Sequence, residues 1–231
     1  MLRRTRLTIN FKEIHIMTAM ITPPQMLRAM EAVCGSIEDQ KEYLSELDGA
    51  IGDGDHGVNM AKCFRLVKDK LGETPDKEFE TILKNVGMVV LNSVGGAMGA
   101  LYGTFFLRMS QASAGKDKIQ LGDLVEMLQA AEKGILDIGK ANIGDKTLLD
   151  TLAPAVRSLE KDHEAGTSLE EALFNFEQAA KTGMASTIDL VAKMGRASRL
   201  GERTRGHPVS YTHLRAHETR YTISFAVFGL K

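Results

Sequence analysis

Cysteine is scarce in this sequence, and long apolar runs are missing. The 231 residues include only Cys34 and Cys63, which cannot form a disulfide framework, and no spacing resembles a zinc site. We therefore expect a reducing, cytoplasmic location. No apolar run approaches the roughly 18 residues of a membrane span, so no membrane association is expected. The 22 glycines and 5 prolines are too few for a disordered or collagen-like chain.

The net charge is small but unevenly distributed. It is −1 overall, with +3 in residues 1–16, −8 in residues 17–198 and +4 in residues 199–231. An acidic body argues against nucleic acid as a direct partner, because neutralising phosphates requires a basic face. If such a protein binds a phosphorylated ligand, metal cations are needed to bridge the two.

Three segments are predicted from these patterns. Residues 1–16 lack the apolar core and cleavage site of a secretory signal, so they are predicted to be an N-terminal extension. Residues 17–207 form one domain. Residues 208–231 are predicted to be a non-native tail, because VSYTHLRAHET resembles translated sequencing-adapter read-through; within it, Tyr221 to Val227 has a strand-like pattern.

Apolar residues recur with the helical period along most of the chain, which predicts an all-α fold of about eight helices. Such stripes are most often core. Residues 86–91 are valine-rich, yet their continuity with Ile82 favours a helix. Gly49 to Gly57 is expected to separate the first two helices, and Thr167-Ser168 to begin a late one. The longest stripes are Met60, Cys63, Phe64, Val67 and Leu71; Leu121, Leu124, Val125, Leu128, Ala131 and Ile135; and Leu169, Ala172, Leu173, Phe176, Ala180, Ile188 and Val191.

The strongest chemical signal is the segment LDGAIGDGDHGVN, residues 47–59. Asp53 and Asp55 are two apart in a turn and can face one point, while Asp48 can fold back from the preceding helix. Three carboxylates at one point repel unless cations bind, and oxygen ligands suit Mg²⁺ or Ca²⁺. The spacing does not fit an EF-hand, because Phe64 stands where the bidentate acid belongs. The alternative is a polar turn whose aspartates cap helices.

Three further segments are glycine-rich. Residues 92–104 hold four glycines in nine positions, which predicts either a helix break that cradles a phosphate or close helix packing. The run from Gly139 to Thr147 is typical of a turn with Asp145 as a helix cap. Residues 195–207 place arginines among glycines, which suits a phosphate or a solvated basic loop. No P-loop or Rossmann pattern is present.

Together these four segments resemble the nucleotide-binding domain of dihydroxyacetone kinases, and most closely the ADP-binding L subunit of the phosphoenolpyruvate-dependent type. The resemblance covers residues 22–207. It implies an eight-helix antiparallel barrel or bundle with the nucleotide site at one end. In that family an Asp-Pro-Gly-Ala segment and a final helix follow the segment that matches residues 195–207; here Pro208-Val209-Ser210 follows His207. The last helix is therefore expected to be missing or replaced, which leaves the activity of this chain open.

The resemblance also implies the site residues. Two Mg²⁺ ions would bridge tightly bound ADP or ATP to Asp48, Asp53 and Asp55. Many relatives have serine at the position of Met98, so a side-chain contact to phosphate is not expected there. Arg203 would be the catalytic residue, screening charge on the transferred group. The implied nucleotide contacts are His56, Gly57, Val58, Asn59, Ala97, Met98, Gly139, Leu148 and Arg203.

The implied enzyme is a phosphotransferase that acts on an alcohol group. A phosphohistidine-carrying phosphotransferase subunit phosphorylates the bound ADP, and the phosphoryl group passes to dihydroxyacetone on a separate substrate-binding kinase subunit. A transcription regulator and a second copy of the chain, forming a homodimer, are further implied partners. The alternatives are the nucleotide domain of an ATP-dependent ketone or fatty-acid kinase, a nucleotide-binding regulator, and a helical scaffold without a ligand.

Overall fold

The computed structural model describes residues 20–73 and 78–208. They contain eight α-helices, which confirms the all-α prediction; an isolated bridge between Ile21 and Ile119 is the one strand-like pairing in these ranges. The N-terminal extension, the tail and its strand-like pattern lie outside the described residues. The helices are α1 (Pro23–Asp39), α2 (Lys41–Ile51), α3 (His56–Gly72), α4 (Phe79–Ser93), α5 (Gly96–Ala112), α6 (Leu121–Gly139), α7 (Leu149–Glu164) and α8 (Leu169–Ser186).

Helix ends follow local sequence signals. Thr22 and Gln25 form a capping box at the start of α1, where proline occupies the first turn. The Ser168 hydroxyl accepts a hydrogen bond from the Glu171 N–H and so caps the N-terminus of α8, where the sequence predicted a helix start. Gly166, with φ +68°, turns the chain between α7 and α8. Short connections of this kind favour antiparallel packing of the two helices that they join.

Each helix from α2 to α8 packs against the next one along the chain, and α1 packs mainly against α3. The predicted stripes face the shared core, as expected for amphipathic helices. The valine-rich stretch lies inside α4, which confirms the helical prediction. The largest fully buried side chains are Phe79, Leu44, Met60, Leu71, Ile82, Leu83, Ile119, Met127, Ile135, Leu149, Leu152 and Leu159. No helix in the described part of the chain is long and apolar enough to cross a bilayer.

Two predicted boundaries were wrong. Gly49 does not end a helix: α2 runs through it to Ile51, so the separating turn is only Gly52 to Asp55. The predicted stripe from Leu169 to Val191 extends beyond its helix: α8 ends at Ser186, and Ile188 belongs to a 3₁₀ turn. Apolar spacing continues past both helix ends because loop residues also bury apolar side chains. The helical period alone does not distinguish such loop residues from helix residues.

Candidate functional site

The turn between α2 and α3 brings three aspartates together. Asp48 lies in the last turn of α2, and its carboxylate accepts a hydrogen bond from the Gly54 N–H at 2.9 Å. Gly54 has φ +74°, a conformation that glycine adopts without strain, and this bend turns Asp53 and Asp55 back toward Asp48. The local sequence therefore builds the cluster through one left-handed residue and one backbone hydrogen bond.

The geometry of the cluster suits a hard divalent cation. One carboxylate oxygen from each of Asp48, Asp53 and Asp55 lies within 4.8 Å of the others. Asp48 is buried, whereas Asp53 and Asp55 are exposed. Three carboxylates this close repel one another, and oxygen donors of this kind are the ligands that Mg²⁺ and Ca²⁺ prefer. The residues present thus fit a bound cation.

An arginine from the far end of the chain meets this cluster. Arg196 forms an ion pair with Asp53, and the two side chains are 80% and 51% exposed. An ion pair this exposed contributes little stability. Its significance is spatial, because it places the loop after α8 directly over the carboxylates.

The cluster opens onto a cavity of 810 Å³, within the size range of small-molecule sites. Its walls come from four regions: the α2–α3 turn, the α4–α5 break, residues 138–149, and residues 192–197. Eight of the predicted site residues line it, namely Asp48, Asp53, Asp55, Asn59, Ala97, Met98, Gly139 and Leu148.

The α4–α5 break presents a helix N-terminus to the cavity. α5 begins at Gly96, which has φ +69°, and no side chain caps it. A helix N-terminus offers free N–H groups and positive potential, both of which favour an anion. A Cβ on Gly99 would lie 1.9 Å from the Val94 carbonyl oxygen, so the turn requires glycine there. Ala97 and Met98 occupy the first turn of α5.

The same segment also packs tightly. A Cβ on Gly103 would lie 2.9 Å from the Leu91 Cβ, and one on Gly87 would lie 3.0 Å from the Gly103 carbonyl oxygen. These two glycines let α4 and α5 approach closely. Close helix packing is therefore confirmed at Gly103, and the phosphate cradle at the start of α5 stays a prediction.

Four predicted site residues do not line the cavity. His56 is buried at the start of α3, and desolvation lowers its pKa to about 4 against the opposing charge of Asp48, so it is neutral at pH 7. Gly57 packs against α2, since a Cβ there would lie 1.9 Å from the Lys41 carbonyl oxygen. Val58 and Arg203 are exposed to solvent.

The loop before α7 contains a residue that the sequence interpretation missed. The Lys146 ammonium is buried and donates hydrogen bonds to backbone carbonyls of residues 41 to 61 positions further on. Lys146 itself lines the cavity. A lysine in a short polar turn carries no local sign of such distant partners, so spacing alone could not have identified it.

The predicted cap at Asp145 was wrong. Asp145 accepts a hydrogen bond from the Asn142 N–H at 2.7 Å and forms an ion pair with Lys193 at 3.1 Å. Asp150, inside α7, instead accepts from the N–H groups of Gly144 and Thr147. The Asp150 carboxylate, in the first turn of the helix, therefore binds the loop N–H groups, while the Asp145 side chain pairs with Lys193.

Comparisons with known proteins identify the family of this chain. Residues 50–209 match the DAK2 domain family. The chain is 45% identical over 175 residues to the PEP-dependent dihydroxyacetone kinase, ADP-binding subunit DhaL, of Escherichia coli, covering 75% of this chain and 83% of that one. It is 38% identical over 171 residues to the PTS-dependent dihydroxyacetone kinase, ADP-binding subunit DhaL, of Lactococcus lactis, covering 74% and 81%.

The fold is shared with a larger solved protein. The native dihydroxyacetone kinase of C. freundii matches with a TM-score of 0.68 at 22% identity, over 96% of this chain and 38% of that one. Its complex with AMP-PNP and Mg²⁺ matches with a TM-score of 0.63 at 20% identity, over 95% and 37%. The chain thus spans about two fifths of that protein.

Proposed function

The chain belongs to the DAK2 domain family, and we propose that it is the ADP-binding subunit of a phosphoenolpyruvate-dependent dihydroxyacetone kinase. The observation that carries the proposal is the convergence of Asp48, Asp53 and Asp55 at the mouth of a cavity large enough for a nucleotide. The high coverage of the two separate subunits, 83% and 81% of their lengths, supports this role over the nucleotide domain of a longer kinase.

The three aspartates would hold Mg²⁺, and we propose that two ions bound there would neutralise charge on the nucleotide phosphates. The first turn of α5, at Ala97 and Met98, offers N–H groups to the same phosphates. Met98 has no polar side-chain atom suited to that contact, so its backbone N–H would serve. Gly139 and Leu148 also line the cavity and would border the rest of the nucleotide.

When bound, the nucleotide supplies a phosphoryl relay, in which ADP accepts the group from a phosphohistidine partner and passes it to dihydroxyacetone on a second subunit. Such transfer depends on positioning and charge neutralisation rather than on a protein nucleophile. His56 is buried and does not line the cavity, which disfavours it as a phosphoryl carrier. Arg203 is exposed, and its predicted screening of the transferred group stays a prediction, as do the nucleotide contacts of His56, Gly57 and Val58.

The proposed partners follow from the same assignment. They are a dihydroxyacetone-binding kinase subunit and a phosphohistidine-carrying subunit of the phosphotransferase system, which place the chain in the cytoplasm. Binding of a transcription regulator and formation of a homodimer remain predictions.

Calorimetric titration of the full chain with ADP, with and without Mg²⁺, tests the proposal. We expect binding that requires Mg²⁺, and a loss of affinity of at least about a hundredfold in Asp53→Asn and Asp55→Asn, because each removes a negative charge from the metal site without changing side-chain size. Asp69→Asn, an exposed change on α3, is the matched control. Equal affinity in both site variants and the control would refute the assignment.

A further inference from the structure

Lys146 connects the loop before α7 to both ends of a segment that follows α8. Its Nζ donates to the carbonyl oxygens of Thr187 at 2.7 Å, Leu190 at 3.0 Å, Thr204 at 2.7 Å and His207 at 2.6 Å. We call residues 187–207 the arginine loop. An ammonium group has three protons, so four acceptors occupy it fully and leave none for another ligand.

Both the burial of the Lys146 side chain and its backbone conformation are energetically unfavourable. The residue is 4% exposed, and its φ of +61° is uncommon for a residue with a Cβ. Burial and the like charge of Arg205 lower its pKa, while Asp189 opposes them. A buried ammonium survives only where dipoles or charges compensate it, which the four carbonyls do here. Local strain of this kind persists where the surrounding structure imposes it.

The arginine loop is one wall of the cavity. Ala192, Met194 and Gly195 line it, and Arg196 reaches across to Asp53. The loop has little regular structure of its own: it contains two short 3₁₀ segments, Thr187–Asp189 and Ala197–Thr204, and a non-helical Gly201 interrupts the second one. Its internal bonds, such as Ala192 N–H to Thr204 Oγ1 at 2.9 Å, close the loop on itself but do not attach it to the helices.

Two residues attach the arginine loop to the segment before α7. Lys193 pairs with Asp145 twice, through a side-chain ion pair whose lysine is 63% exposed and through a hydrogen bond from the Lys193 backbone N–H to the Asp145 carbonyl oxygen at 3.1 Å. Lys146 donates buried or partly buried bonds that reach both Thr187 and His207. Charged hydrogen bonds contribute more than neutral ones, and exposed ion pairs contribute little. Lys146 is therefore the dominant anchor of the two.

We propose that Lys146 is a positioning residue that fixes the arginine loop as a wall of the nucleotide cavity and so retains Mg²⁺–ADP. It acts through the loop, without contact to the phosphates. The inference rests on the proposed function for its ligand, while the anchoring itself can be measured on the free chain.

Hydrogen exchange of the full chain without nucleotide measures the anchoring in Lys146→Ala and Lys146→Met. The methionine variant keeps the apolar part of the side chain and serves as the test if Lys146→Ala does not fold. We expect exchange of the arginine-loop amides, including Ala192 and Gly206, to accelerate about ten- to a hundredfold, with α5 and α6 unchanged. The dissociation constant for Mg²⁺–ADP should rise by at least about tenfold. Lys161→Met, on the exposed face of α7, is the matched control.

Chemical rescue separates positioning from general stability. Propylammonium replaces the atoms that Lys146→Ala removes beyond Cβ, so it should restore slow loop exchange and ADP affinity in that variant. It should have no effect in Lys146→Met, whose side chain fills the space. Unchanged loop exchange, equal acceleration in the loop and in α5, or absence of rescue would each overturn the proposal. If the unmodified chain does not bind Mg²⁺–ADP, the proposed function fails, whereas the exchange rates still decide whether Lys146 anchors the loop.

Discussion

The guanidinium of Arg196 lies against the carboxylate of Asp53, although 143 positions separate the two residues in the chain. The contact joins the α2–α3 turn to the arginine loop across the mouth of the cavity. It also offsets part of the negative charge that Asp48, Asp53 and Asp55 concentrate there.

Because Arg196 and a metal ion compete for the same carboxylate, Arg196→Gln should tighten the binding of Mg²⁺ to the nucleotide-free chain by about two- to fivefold, the range of an exposed ion pair. Calorimetric titration with Mg²⁺ at low ionic strength measures this. Arg199→Gln, exposed on the same loop, should leave the affinity unchanged. Weaker Mg²⁺ binding in Arg196→Gln would contradict the competition.

Gly57 should tolerate no side chain. An added Cβ would lie 1.9 Å from the Lys41 backbone oxygen, so Gly57→Ala must separate α2 from α3 and should lower the free energy of unfolding by about 3 kcal/mol. Gly72, in the same helix, has nothing within 4 Å of an added Cβ, and Gly72→Ala should raise stability by up to about 1 kcal/mol. Urea denaturation of both variants checks the pair, and similar midpoints would contradict it.

Asp145 should contribute to the acid sensitivity of the fold. The Asn142 N–H and the Lys193 ammonium hold the pKa of its carboxyl below the ordinary value of 3.8. A folded-state pKa below that of the unfolded chain gives stability that is fully present above pH 4 and is lost as the pH falls through the folded-state pKa.

Asp145→Asn removes this contribution, so its free energy of unfolding at pH 7 should fall by about 1–2 kcal/mol. The difference from the unmodified chain should shrink below pH 4. Urea titrations at pH 7, 5 and 3 measure both quantities, with Asp69→Asn as the exposed control. A difference that stays constant down to pH 3 would exclude the ionised carboxylate as its source.

Both cysteines should react slowly in the folded chain. Burial raises the pKa of Cys34 to about 12, against the opposing charge of Lys68, and burial raises that of Cys63 to about 11. Since the thiolate is the reactive form, modification by an aromatic disulfide reagent at pH 8 should be at least about a hundredfold slower than in urea. Fast reaction of either thiol without denaturant would contradict this burial.

The sequence predicted those features that depend on neighbouring residues. The helical period of the apolar residues predicted which side chains face the core. The spacing of Asp48, Asp53 and Asp55 predicted their convergence, because a glycine turn of that length leaves few other arrangements. The boundary at Gln40 between α1 and α2 was not predicted, since neither glycine nor proline marks it. Lys146 and Arg196 were not assigned either, because their partners lie 41 to 143 positions away and no local pattern encodes them.

The long sequence separation between Asp53 and Arg196 also orders events during translation. Domains begin to fold from the N-terminus while synthesis continues, so α1 to α7 can assemble before the arginine loop leaves the ribosome. In that interval the three carboxylates and the start of α5 face solvent without the wall that closes over them. Within the described part of the chain, the wall that the arginine loop forms is thus the last component of the cavity to be synthesised, after all eight helices.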